Sequence, residues 1–127
     1  MMAVDTSALM AILLGEPEAD DCIAALAQGG DLLLSAGTMA EALIVAERRN
    51  VGAEMARLID ELGFEIVPLT AAAARRSASA YATWGKGQHA AALNFGDCFA
   101  YDLAKERGCP LLFVGRDFGQ TDVGRVV

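Results

Sequence analysis

The sequence predicts an α/β domain whose short, mainly parallel sheet is covered by helices on both faces. Apolar runs of three to five residues alternate with helical segments along the 127 residues. Runs of this length suit buried strands, and their alternation with helices is typical of parallel sheets. No internal repeat or linker interrupts the pattern, so we expect a single domain spanning residues 1–127.

In the first half of the chain, short apolar runs are followed by helical segments. Residues 1–4 form the first predicted strand, and Asp5 to Ser7 can end that strand and cap a helix over residues 8–14. A second helix is expected from Glu16, with a proline and acidic residues in its first turn. A buried strand at 32–34 precedes two further helices, which are predicted over residues 38–50 and from Gly52 to Gly63.

The second half repeats this alternation. A strand at 64–67 is followed by a helix that Thr70 caps and that continues to Trp84. A loop of about nine residues then leads to a helix from Asp97 to Arg107, which Gly108 ends. The fourth strand is predicted at 111–114, and a tail follows in which residues 125–127 can form a short final strand.

Composition restricts the classes of function. The chain has 17 acidic and 10 basic residues, a net charge of −7 and a pI near 4.5, which speaks against the usual basic nucleic-acid-binding domain. Its three cysteines form no CxxC pair, so neither a zinc site nor a disulfide framework is expected. The longest stretch without a charge is ten residues, too short for a membrane span. We therefore expect a cytoplasmic protein with reduced thiols.

Acidic residues follow, or lie within, apolar elements that meet at one edge of the predicted sheet. Asp5 follows the first strand, and Asp117 and Asp122 follow the fourth. Glu41 lies on a helix that is apolar nearly all round, and Asp97 begins another. Ligands of open parallel sheets bind beyond the carboxyl ends of the strands, so these acids are candidates for a site.

Each acid also has an ordinary structural explanation when it is taken alone. Asp5 can be a helix cap, Asp117 a turn residue, Glu41 a surface partner of Arg48, and Asp97 a first-turn acid that favours the helix dipole. The set as a whole favours a cation site. Carboxylates that meet at one sheet edge would repel one another strongly unless a cation lay between them. Oxygen ligands without His or Cys suit Mg²⁺ or Mn²⁺.

Four segments, in order and at family-like spacing, resemble the motifs of PIN domains of the VapC type, the toxin components of bacterial toxin–antitoxin pairs. The segments are residues 4–9 with 16–18, 35–41, 92–101, and 111–115 with 117–118 and 121–122. The third, with Asn94-Phe95-Gly96-Asp97 at its centre, is the most specific. The resemblance covers essentially the whole chain and implies a three-layer α/β/α PIN-like domain with a short, mainly parallel central sheet.

The resemblance implies a type II toxin that hydrolyses RNA phosphodiester bonds with a metal-activated water, using Mg²⁺ or Mn²⁺. The resemblance implies four site acids, Asp5, Glu41, Asp97 and Asp117, with the auxiliary residues Asp122 and Ser7 or Thr6 beside them. Our own hypothesis is that Asp5 and Asp97 hold the metal directly. Because RNA binding needs positive surface, Arg116 and Arg48 are candidate substrate contacts.

Two departures from the family pattern accompany the match. Arg116 stands where relatives often have a small or acidic residue, and His89 lacks the proline that is common after it. Arg116 could neutralise part of the acidic site or contact substrate. His89 is the only histidine, so a Ser-His-Asp triad would have to use this loop residue.

Partners follow partly from the resemblance and partly from the residues. The resemblance implies a VapB-like antitoxin whose basic segment plugs the acidic groove, which opposite charge makes favourable. Apolar side chains over residues 38–62 exceed what one small domain easily covers, which predicts a homodimer through these helices. No membrane partner is expected.

Three other kinds of protein share part of this pattern. A haloacid-dehalogenase-like phosphatase also has an Asp after its first strand but needs a second Asp two residues later, where Ser7 stands. A receiver domain needs a Lys after a late strand, whereas Lys86 and Lys105 lie in a predicted loop and helix. A PIN-like protein that binds RNA or an antitoxin without catalysis is the third.

Overall fold

A computed structural model describes all 127 residues and contains a four-stranded sheet between layers of helices. All pairings are parallel, in the spatial order β3-β2-β1-β4. The strands are β1 (Met2–Val4), β2 (Leu32–Ser35), β3 (Glu65–Val67) and β4 (Leu111–Leu112). The predicted three-layer α/β/α architecture is confirmed.

Every predicted helix is present, with shifts of a few residues at some boundaries. The helices are α1 (Thr6–Leu14), α2 (Ala19–Leu26), α3 (Ala36–Arg48), α4 (Gly52–Leu62), α5 (Ala71–Trp84) and α6 (Asp97–Arg107), and a 3₁₀ turn spans Phe118–Gln120. Two helices begin earlier than predicted because the capping residue is the last residue of a strand or the one directly after it. Asp5 caps α1, and the Ser35 hydroxyl accepts a hydrogen bond from the Gly37 amide at the start of α3.

Neighbouring residues of each central strand point into two different cores. In β2, Leu34 packs with Val4 and Leu9 against one layer of helices, whereas Leu33 packs with Leu93 and other residues against the opposite layer. Both leucines are fully buried. A strand covered on both faces is apolar at successive positions rather than at alternate ones, which explains the uninterrupted Leu runs in the sequence.

The fourth strand is shorter than predicted, and the final strand is reduced to a single bridge. The expectation of a strand over 111–114 fails beyond Leu112 because the Val114 amide donates to the Ser7 hydroxyl, at 3.0 Å, instead of extending the ladder. Gly115 then turns the chain with a φ of 108°. The tail returns beside β4 only at Arg125, which bridges to Leu111 in parallel.

The strand order brings the predicted acidic positions together. β1 lies between β2 and β4, so Asp5 emerges in the middle of the sheet edge, where α3 begins after β2 and the Asp117 segment follows β4. The fold therefore supplies the common edge that the sequence pattern predicted. No helix is long and apolar enough to cross a membrane.

Candidate active site

Asp5 is both a helix cap and a buried acid with a free oxygen. Its side chain is 3% exposed, and its Oδ2 accepts hydrogen bonds from the Ser7 amide at 3.0 Å and the Ser7 hydroxyl at 2.7 Å. Its Oδ1 is buried without any hydrogen-bond partner. Capping thus explains one carboxylate oxygen and leaves the other available to a ligand.

Ser7 connects Asp5 to the end of β4. The same hydroxyl that donates to Asp5 accepts from the Val114 amide, so it ties the first turn of α1 to the segment that leads to Asp117. A hydroxyl can donate and accept at once, which a carboxylate or an amide nitrogen could not do here. Ser7 therefore fixes the rotamer of Asp5 and the path of the chain toward Asp117.

Glu41 is held by a hydroxyl rather than by a cation. The Thr6 Oγ1 donates to Glu41 Oε1 at 2.6 Å, and no ion pair joins Glu41 to Arg48. Arg48 lies in the last turn of α3, about two helical turns beyond Glu41. The surface-pair explanation of Glu41 is wrong, and the side chain faces α1 and the sheet edge.

Asp97 is oriented by an asparagine that the sequence analysis did not single out as functional. The Asn94 amide donates to Asp97 Oδ2, and the Asp97 amide donates to Asn94 Oδ1, both at 2.9 Å. This reciprocal pairing over a three-residue spacing resembles a capping box, and that spacing was the signal in the sequence that could have revealed it. One oxygen of Asp97 is occupied, as in Asp5, while the other is free of protein hydrogen bonds.

Gly96 permits the close approach of Glu41 to the start of α6. A Cβ added at Gly96 would overlap the Glu41 carboxylate, although the backbone of Gly96 is ordinary right-handed helix at φ −66° and ψ −35°. The glycine is thus required for space and not for its conformation. The Asn94-Phe95-Gly96-Asp97 motif thus contains both the hydrogen-bonding partner of Asp97 and the glycine that leaves space for Glu41.

The four acids repel one another across this edge. Burial, followed by repulsion from Asp97 and Glu41, raises the pKa of Asp5 to about 7 against the hydrogen bonds from Ser7. Burial, with repulsion from Glu41 and Asp117, raises the pKa of Asp97 to about 6 against its bond from Asn94. Asp5, Glu41, Asp97 and Asp117 therefore form one interacting cluster.

The donor set of this cluster fits a hard divalent cation. It offers only oxygen ligands, and the buried Asp5 Oδ1 lacks a hydrogen-bond partner that a cation would replace. No three His, Cys, Asp or Glu side chains are already gathered at metal-ligand spacing.

Asp117 is the residue of the carboxyl-terminal segment that interacts with this cluster. Asp117 precedes the 3₁₀ turn and is exposed, as is its neighbour Arg116. Asp122 is bonded elsewhere: it accepts from the Tyr101 hydroxyl and pairs with Lys105 at 3.2 Å. The hydrogen bond from Tyr101 is the largest cause that lowers the pKa of Asp122. This acid is therefore ionised, and the charge of Lys105 neutralises it.

Comparison with known proteins identifies the family of this chain. The family model of the PIN domain matches residues 2–124. The chain belongs to the PIN-domain family. Its curated relatives within the family include Ribonuclease VapC30 of Mycobacterium tuberculosis, 41% identical over 98% of both chains, and Ribonuclease VapC36 of the same organism, 44% identical over 96% of this chain and 91% of the relative.

Solved structures share the PIN fold at lower sequence identity. Mycobacterium tuberculosis VapC20, described as a sarcin-ricin loop cleaving toxin, superposes with a TM-score of 0.81 at 14% identity, covering 99% of this chain and 98% of that one. A toxin–antitoxin complex from Klebsiella pneumoniae contains a chain with a TM-score of 0.71 at 19% identity, covering 96% and 93%. These structures establish the likeness of fold.

The raised pKa of Asp5 predicts a pH dependence of stability in the metal-free protein. Since the folded-state pKa of about 7 exceeds the ordinary 3.8, the folded protein binds the proton more tightly than the unfolded chain. The contribution of Asp5 to the free energy of unfolding is therefore largest below about pH 4 and is lost as pH rises toward 7. Asp5→Asn should remove this loss and leave the variant more stable at neutral pH, on the order of a few kcal/mol.

Urea unfolding in EDTA from pH 4 to pH 8 measures this effect. Asn at position 5 can still cap α1, so the variant isolates the charge. Asp60→Asn, on the exposed face of α4, is the matched control. A difference between Asp5→Asn and the wild type that stays constant with pH would contradict the assignment.

Gly96→Ala tests the approach of Glu41 to α6. Alanine suits the helical backbone at this position, so the fold should be retained, but its methyl group displaces the Glu41 carboxylate from Thr6. In an assay for the ribonuclease activity after which the relatives are named, the variant should be at least about tenfold less active than the wild type, while thermal stability changes little. Gly124→Ala, where a Cβ would meet Pro110 at an ordinary 3.5 Å, is the control and should cleave normally.

Proposed function

We propose that this PIN domain, spanning residues 1–127, is the toxin of a type II toxin–antitoxin pair and acts in the cytoplasm as a metal-dependent endoribonuclease. The observation that carries the proposal is the cluster of four carboxylates, in which Asp5 is buried with one oxygen free of any partner. Relatives at 41–44% identity are named VapC ribonucleases, which supports the same activity here.

Asp5 and Asp97 are the proposed direct ligands of a Mg²⁺ or Mn²⁺ ion. Each has one oxygen fixed by a protein hydrogen bond and a second oxygen free of such bonds. When bound, a divalent cation lowers the pKa of a coordinated water and neutralises negative charge on a phosphate. Glu41 and Asp117 would hold a second ion or the waters of the first.

The chain supplies positioning and a base for the hydrolysis. Glu41 or Asp117 would orient or deprotonate the attacking water. Thr6 restricts Glu41 to one position, and Ser7 does the same for Asp5. The two carboxylates are therefore already oriented before the reaction begins. Both hydroxyls act on the acids and need no contact with substrate.

Asp122, predicted as an auxiliary acid, is proposed to work through position instead of ligation. It lies at the end of the segment that contains Asp117, and the Tyr101 hydroxyl, which also accepts from Trp84 Nε1 at 3.0 Å, anchors it to α6. Substrate contacts are proposed for Arg116, the exposed neighbour of Asp117, and for Arg48, in the last turn of α3.

An antitoxin and a second copy of the chain are the proposed protein partners. Structures with this fold include toxin–antitoxin complexes, and a basic antitoxin segment would complement the acidic edge. The proposed homodimer contact through residues 38–62 has less exposed apolar surface than the sequence predicted. Among the large apolar residues in that range, only Ile44 is mostly exposed, at 57%.

Cleavage of a mixed RNA pool tests the enzymatic proposal. The wild type should cut RNA with Mg²⁺ and not in EDTA, whereas Asp5→Asn and Asp97→Asn should lose at least about a hundredfold in rate, because each removes a charged ligand. Asp60→Asn should cleave like the wild type. Undiminished cleavage by both site variants would disprove the assignment, and metal-independent RNA binding without cleavage would favour a binding protein.

Light scattering at micromolar concentration tests the homodimer. We expect the mass of two chains for the wild type and a shift toward one chain for Ile44→Asp, because that change places a charge at the proposed contact. Ile23→Asp, on the exposed face of α2, is the control. A wild-type monomer would contradict the proposal.

A further inference from the structure

An apolar cavity opens beside the acidic cluster and has no role in the chemistry described above. It has a volume of about 400 Å³ and lies between α5 and the start of α6. Seven of its eight lining residues are hydrophobic, and three aromatic rings are among them: Tyr81, Phe95 and Phe99. We call this cavity the aromatic pocket.

Phe95 joins the aromatic pocket to the site. It lies within the Asn94-Phe95-Gly96-Asp97 segment, whose backbone is fixed by the two hydrogen bonds between Asn94 and Asp97. The residue is 75% exposed, and its ring meets that of Phe99 in a T-shaped contact with a centroid distance of 4.9 Å. A large aromatic ring is thus presented to solvent in a defined position two residues from Asp97.

The chemistry of the lining selects a neutral, planar occupant. No charged side chain lines the pocket, so a phosphate would be desolvated there without compensation. A nucleobase instead offers an uncharged aromatic face, and base stacking on protein aromatics is a general means of holding single-stranded RNA. The cavity volume lies in the range of pockets that hold small molecules.

A second observation favours a base over an aliphatic side chain. Ser77 lines the pocket and is 5% exposed, yet its hydroxyl has no hydrogen-bond partner. A buried hydroxyl without a partner is costly, and an alkyl occupant would leave it so. The polar edge of a nucleobase would give that hydroxyl a partner.

We propose that the aromatic pocket binds one nucleobase of the RNA next to the scissile phosphate, with Phe95 stacking on the base and Ser77 facing its polar edge. This inference rests on the proposed ribonuclease function and adds a determinant of base preference to it. The acids act on the phosphate, and the pocket decides which nucleotide is presented to them.

Substrate kinetics with abasic RNA test the stacking. On a short single-stranded RNA that the wild type cleaves, Phe95→Ala should raise KM about tenfold and change kcat by less than about twofold, since stacking binds ground state and transition state alike. Phe95→Trp should restore the wild-type KM. A series of RNAs, each with one abasic nucleotide at a different position, locates the bound base. The KM values of Phe95→Ala and the wild type should become equal when the abasic nucleotide occupies a single position near the cut.

Two further variants sharpen the test. Ser77→Ala should raise thermal stability, because an unpaired buried hydroxyl is removed, and should reduce the preference among bases at that same position. Ile23→Ala, an exposed apolar residue on α2, is the control and should match the wild type throughout.

Fluorescence of 2-aminopurine in the RNA, with Ca²⁺ in place of Mg²⁺, reports stacking independently of cleavage. Quenching by the wild type that is lost in Phe95→Ala supports the pocket even if the chain proves not to be a ribonuclease. Equal KM and equal quenching for wild type and Phe95→Ala would overturn the proposal while leaving metal-dependent cleavage intact. It would also be overturned if Phe95→Ala weakened only antitoxin binding or self-association, since the occupant would then be a protein.

Discussion

The buried carboxylate of Asp5 at the end of β1 is the constraint on which the site depends. A parallel sheet with β1 between β2 and β4 necessarily directs the next residue into the middle of its carboxyl edge. Burial there, together with repulsion from Asp97 and Glu41, raises the pKa of this acid to about 7 against the hydrogen bonds from Ser7. Charge at this position is therefore unfavourable for the metal-free fold and becomes useful only with a cation.

Neutral hydrogen-bonding groups make this arrangement tolerable. Ser7, Thr6 and Asn94 each hold one oxygen of a different acid, and none of them carries a charge that would neutralise the cluster. A lysine or arginine in their place would satisfy the acids without any cation. The chain instead orients the carboxylates and leaves their repulsion in place, a conflict between stability and function that is common at active sites.

The acidity of the chain has a different meaning once the acids are placed. Four of the 17 acids repel one another at one edge, whereas Asp122 accepts a hydrogen bond from Tyr101 and is neutralised by Lys105. A bound divalent cation would reverse the local preference of this edge from repelling phosphate to attracting it. The net charge of −7 is thus compatible with an RNA substrate whose binding depends on metal. The neutral aromatic pocket beside the edge adds binding surface that needs no positive charge.

Sequence alone determined the features that depend on local signals. The Thr70 cap defined the start of α5, Gly108 defined the end of α6, and alternating apolar runs defined a parallel sheet with acids beyond its strands. These signals act over a few residues, through caps, turns and periodicity, so they can be read without the fold.

Tertiary structure decided the contacts between residues that are distant in the sequence. The bond from Val114 to Ser7 joins positions 107 residues apart and shortens β4, and the bond from Thr6 to Glu41 spans 35 residues and replaces the expected partner Arg48. The pairing of Asp122 with Tyr101 likewise withdraws that acid from the cluster. Such choices depend on which groups the packed core brings within hydrogen-bond distance, and local pattern has no information about that distance.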